Sequence, residues 1–234
     1  RSASSRLRDV YVLRLLQEQA ADDEREQGDR HRIPEAGVDV PLGSDDRERA
    51  VALFYAVRDG FRYDPYRIDL SVQGMKGSTV LSNGFGWCVP KAALLAAACR
   101  AAGIPARVGY ADVRNHLSTE RLRQNMGSDL FVWHGYVDIG LAGQWRKATP
   151  AFNIELCDRF GLLPLDFDGR GDSIYHPFDK AGNRHMEYVA MHGAFDDVPL
   201  QQILDAFALH YPKMPLDKLT QDGDFAADAA AERI

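Results

Sequence analysis

One cysteine and one histidine in this chain have the surroundings to act as a nucleophile and its base. Cys88 lies in GFGWCVPKAALLAAACRAAGIPAR, residues 84–107. A glycine-rich turn leads into it, and an Ala/Leu-rich run with helical character follows, roughly from Val89 to Ala102. Gly103 ends that run and Pro105 prevents its continuation. The cysteine therefore falls at the first turn of a buried helix. There the free backbone N–H groups and the positive end of the helix dipole favour a thiolate, the nucleophilic form. Of the seven histidines, His134 is the candidate base. It lies between Trp133 and Gly135 in FVWHGYVDI, residues 131–139, a run rich in the aromatic and β-branched residues that favour strands. A polar side chain inside an apolar strand needs a reason, and packing beside a thiol-bearing helix is one.

A base needs an orienting partner, and several residues compete for that role. Asp112 ends the strand-like run RVGYADV, residues 107–113, and falls near His134 if the two strands pair antiparallel. Asn153 is an amide candidate, and the aspartates of the 167–172 loop are a third. Asp138 shares a face with His134 but is four strand residues away, ~13 Å. Donors for a developing oxyanion are the Cys88 backbone N–H, the Trp87 side chain and a group from Asn83. Trp87, Trp133 and Asn153 are candidate substrate-binding residues, with the tryptophans as core or cleft wall. Cys99 and Cys157 read as core packing.

The elements around these residues follow from the same kind of reading. A helix is expected over roughly residues 46–59, capped by Ser44 or Asp45, and residues 72–83 read as loop. A short helix over 117–126 with Ser118 as cap precedes the His134 strand, which returns as a hairpin arm over 145–148. One or two helical turns cover 153–160. The turn-rich stretch from about 163 to 193 reads as ordered loops, and a helix follows over 199–211. Residues 1–32 form a peripheral helix and charged linker, 33–215 a single domain, and 216–234 an acidic tail.

Composition narrows the class. A net charge of −6 argues against a general nucleic-acid or anionic-membrane binder. No apolar run approaches the ~20 residues that span a bilayer. Three cysteines without scaffold spacing favour free thiols in a reducing, cytoplasmic setting over a disulfide framework. The Asp and His residues from 166 to 192 match no compact metal motif, and HMEYVAMH lacks the spacing of HExxH. No metal and no cofactor is expected.

The segments GWCVPKAALLAAACRAAGIPARV and WHGYVDIGLAGQWRKATPAF resemble the transglutaminase core of the papain-like cysteine enzymes. The resemblance covers roughly residues 45–155, and the whole chain is similar to bacterial transglutaminase-like proteins. It implies an α+β papain-like fold, with a cysteine-bearing helix packed on an antiparallel sheet. It also implies attack on an amide or peptide bond through a thioacyl intermediate, with hydrolysis or acyl transfer to follow. Cys88 matches the family nucleophile and His134 the base. Where the family carries an aspartate, this chain has Thr149, whose hydroxyl can accept the imidazole N–H but does not carry the charge that stabilises an imidazolium. The expected partner is a peptide or protein amide substrate. The alternatives are a peptide-binding module that has lost turnover and, more narrowly, acyl transfer from a cofactor thioester.

Overall fold

The computed structural model describes residues 45–116, 118–174, 178–182, 185–212, 214 and 223–232. The expected peripheral helix and linker over 1–32 lie outside the described residues.

Helix α1, Asp46–Gly60, starts where Asp45 accepts the Glu48 N–H at 2.8 Å. It buries Ala50, Leu53, Phe54 and Val57, one face at helical spacing. The chain then runs through the short strand β1, Arg62–Tyr63, and helix α2, Gly77–Asn83. Strand β2, Phe85–Gly86, pairs parallel with β1 and leads directly into helix α3, Cys88–Ala101. The loop expected over 72–83 is therefore corrected in part. Its glycine at 77 opens a helix because a Cβ there would lie 2.7 Å from Leu94 Cα, so only glycine lets α2 seat on α3.

Helix α3 is buried over most of its length, including Val89, Ala92, Leu95 and Cys99, as befits a helix through the middle of a core. Lys91 is fully buried on its first turn. The Lys91 ammonium donates to the carbonyls of Phe61 (2.6 Å), Ala151 (2.8 Å) and Arg58 (3.0 Å), one acceptor for each N–H. Burial pulls its pKa down to about 7.

Four strands form an antiparallel sheet in the order β5-β4-β3-β6: β3 Ala106–Asn115, β4 Leu130–Leu141, β5 Gln144–Ala148 and β6 Met186–Phe195. Helix α4, Glu120–Met126, joins β3 to β4, and its cap is Thr119 rather than Ser118. Helices α5, Ile154–Phe160, and α6, Leu200–His210, agree with the expected segments. Strand β6 corrects the all-loop reading of that stretch. It is an edge strand with several exposed residues, so it lacks the apolar alternation that marks a half-buried strand.

The acidic tail is also corrected. Helix α7, Phe225–Glu232, docks on the core with Phe225 and Ala229 buried. Phe225 sits 5.3 Å from the Tyr66 ring, 5.7 Å from Phe160 and 5.9 Å from Tyr63. Asp228 accepts the Tyr66 hydroxyl at 2.9 Å and pairs with Arg121 at 2.9 Å. The result is an α+β fold with the cysteine-bearing helix packed on β3 and β4.

Candidate active site

Cys88 is the first residue of α3, with Trp87 as its N-cap, and His134 lies within β4. Gly135 brings them together. A Cβ at Gly135 would lie 2.9 Å from the Cys88 carbonyl oxygen, so glycine permits the closest approach of β4 to the first turn of α3. Both side chains line one cavity of about 40 Å³, walled by residues such as Tyr63, Trp87, Phe207 and Tyr211. That volume holds a few waters at most. A larger groove of about 410 Å³ lies along Ala93, Ala97 and Arg100 of α3 and is not lined by Cys88.

Burial sets the charge state. Cys88 is 6% exposed and His134 4%. Burial pushes the Cys88 thiol up to about 12; backbone N–H groups of Gly135, Val89 and Cys88 itself pull it the other way and are outweighed. Burial likewise pulls His134 down to about 3, against a backbone hydrogen bond with Gly135 and with a further lowering from His185. The resting pair is a neutral thiol beside a neutral imidazole. This corrects the expected thiolate: the helix terminus acts in the expected direction, but desolvation is the larger effect.

The third-group candidates are placed as follows. Asp112 does come to the neighbourhood of His134, since β3 and β4 pair antiparallel with Ala111 opposite His134. Its carboxylate is engaged elsewhere, accepting the Trp133 N–H at 3.0 Å and bonding His192 Nε2 at 2.7 Å. Asn153 accepts the Tyr63 N–H at 3.0 Å and donates to Glu155 at 2.9 Å, so it braces Tyr63, a wall of the cavity. In the 167–172 loop, Asp168 caps its own turn, and Asp172 accepts the Lys147 N–H. Asp138 pairs with Lys147 at 2.9 Å. Thr149 is 1% exposed just beyond β5, and its hydroxyl has no hydrogen-bond partner among the described residues. The Ser173 hydroxyl is in the same condition, and the Thr149 N–H donates to the Ser173 carbonyl.

Trp87 lines the cavity, and its buried indole N–H has no partner among the described residues. Trp133 is corrected as a cleft wall: it stacks flat on His192, with ring centroids 4.5 Å apart, and is not among the cavity-lining residues. Two contributors escaped the sequence reading. Tyr211 lines the cavity and braces β4, accepting the Val132 N–H and donating to the Leu130 carbonyl. Only its position at the end of an apolar helix hinted at it. His185 is buried and lowers the pKa of His134, yet its turn-rich surroundings gave no signal. Among the described residues no three His, Cys, Asp or Glu side chains converge as metal ligands.

The model of the transglutaminase-like superfamily matches residues 39–150, the span that holds the Cys88 helix, the His134 strand and Thr149. With the cysteine-bearing helix laid on an antiparallel sheet, the matched span is transglutaminase-like, in a papain-like α+β fold. No curated protein matches the chain in sequence. A crystal structure from Cytophaga hutchinsonii, described as a candidate cysteine protease, is similar over 77% of this chain at 16% identity and a TM-score of 0.35. The chain spans 52% of that protein's length.

Proposed function

We propose that Cys88 and His134 are the nucleophile and base of a cysteine enzyme acting on amide or peptide bonds through a thioacyl intermediate. The observation that carries this reading is their shared cavity at the first turn of α3. Because both groups rest neutral, His134 takes the thiol proton as sulfur attacks the carbonyl carbon, rather than beforehand. The C–S bond forms, the carbonyl oxygen becomes the oxyanion, and the imidazolium returns its proton to the departing amine as the C–N bond breaks. Water or a second amine then attacks the thioester, losing its proton to His134, and the thiol is regenerated. The Cys88 backbone N–H and the Trp87 indole N–H are the donors at hand for the oxyanion. An amide does not fit 40 Å³, so the wall parts on binding; Met126 and Met214, which line it, are side chains that repack readily.

The test uses casein as a general amide substrate and dansylcadaverine as the amine. New amino termini report hydrolysis, and fluorescence incorporated into casein reports transfer. Either activity should fall at least ~10³-fold in Cys88→Ala and His134→Ala. Wild-type turnover retained by Cys88→Ala overturns the reading.

A peptide-binding module that no longer turns over is the second reading, favoured by Thr149 in place of the family's carboxylate. Casein binding without either product in the wild type, with turnover appearing in Thr149→Asp, supports that second reading.

A further inference from the structure

The pairing of β4 with β3 breaks one residue before His134. Ala111 faces His134 and Val113 faces Phe131, so Asp112 alone stands opposite two residues, Val132 and Trp133. This is a β-bulge, and it holds Trp133 at φ +57°, a left-handed conformation that bulky side chains rarely adopt. The β3–β6 pairing is irregular at the same place, with register shifts on both sides of Ala111 and Asp112. Three departures from a regular ladder thus meet at Asp112.

Asp112 is what these departures share. One of its carboxylate oxygens accepts the Trp133 N–H at 3.0 Å and bonds His192 Nε2 at 2.7 Å. His192, from β6, lies flat on the Trp133 indole with an interplanar angle of 6°. His192 therefore holds both the carboxylate and the indole of the bulge. Tyr110 and Phe195 complete the aromatic cluster around Trp133, at 5.4 and 5.8 Å. The backbone that leaves this clamp is His134 itself, followed by Gly135 against the Cys88 carbonyl.

We infer that Asp112, clamped by His192, is a positioning residue for His134: it fixes the left-handed Trp133 backbone that aims the imidazole at the Cys88 cavity. The inference rests on the reading of His134 as the base. A hydrogen bond to the backbone one residue away, not to the ring, makes this a geometric role. It differs from the charge-stabilising role of a triad carboxylate. Asparagine keeps the oxygen that accepts the Trp133 N–H, so it should largely preserve the geometry, whereas alanine removes the acceptor and leaves the bulge to relax.

The experiment measures the rate of Cys88 alkylation by iodoacetamide at pH 7.5, followed by mass spectrometry, together with the thermal midpoint. It compares wild type with His134→Ala, Asp112→Ala, Asp112→Asn and His192→Ala. The rate should fall roughly tenfold in Asp112→Ala, stay within about threefold of wild type in Asp112→Asn, and fall about threefold in His192→Ala. A role confined to stability would shift the midpoint and leave the reactivity of the folded protein unchanged. Wild-type reactivity in folded Asp112→Ala, with His134→Ala slowed, overturns the positioning role alone. Should Asp112→Ala not fold, His192→Ala decides, since its partly exposed side chain is removable; wild-type reactivity there overturns the clamp. If His134→Ala itself reacts like wild type, the base assignment fails and the positioning role with it.

Discussion

At the scale of single residues, Cys88 and His134 stand out as candidates in the sequence because each sits where local pattern is strong, at a helix start and within an apolar strand. Their charge states could not be found there, because desolvation depends on everything that closes over them. The same burial has a consequence for stability. His134 is held near a pKa of about 3 when folded, against an ordinary 6.5. Between those values the unfolded chain binds a proton that the folded protein refuses. The stability His134 contributes is therefore fully present above about pH 6.5 and is lost as pH falls toward 3. Urea denaturation at pH 7 and pH 4 should show wild type losing on the order of 2–3 kcal/mol more than His134→Ala over that interval. Equal losses would mean that the imidazole is hydrated in the folded state. Asp112 illustrates a different limit. Its nearness to His134 follows from antiparallel pairing, but the bulge that redirects its carboxylate to Trp133 and His192 is a property of three strands in register. No single segment encodes it.

At the scale of elements, the helix–strand contact that builds the site depends on Gly135. In addition to the Cys88 carbonyl at 2.9 Å, a Cβ there would meet the Ala92 Cβ at 3.2 Å, so even alanine requires α3 to shift. Gly135→Ala should lower stability by about 1–3 kcal/mol. It should slow Cys88 alkylation more than that loss alone explains, because the contact it forces apart is the one beside the thiol. Urea midpoints and iodoacetamide rates on the same preparation check this, and an alkylation rate equal to wild type would show that the contact is not what sets the pair. Helices such as α1 and α6 were legible because their burial is written into residue spacing, and α3 because its Ala/Leu run is bounded by Gly103 and Pro105. The short α2 was obscured by a glycine that reads as a breaker and serves as a contact. Strand β6 was obscured by its edge position, where Val189 and Met191 are about half exposed.

At the scale of the whole molecule, residues far apart in the chain support one cavity. Tyr63 lines the Cys88 cavity and also packs against Phe225 of α7, so the C-terminal helix props a wall of the site. Phe225→Ala should cost about 3 kcal/mol and lower the thermal midpoint by roughly 6–12 °C. It should also make Cys88 more accessible to iodoacetamide as that wall loosens. A midpoint within about 2 °C of wild type would mean that α7 contributes little to the core. Among the described residues no helix is long and apolar enough to cross a membrane. Lys91 has a consequence of its own. Its three carbonyl acceptors come from residues 33 and 30 positions earlier and 60 positions later. The helix that carries Cys88 is therefore synthesised before one of the acceptors of its lysine exists. That last acceptor exists only once Ala151 has been added, after the whole strand that carries His134 has been made.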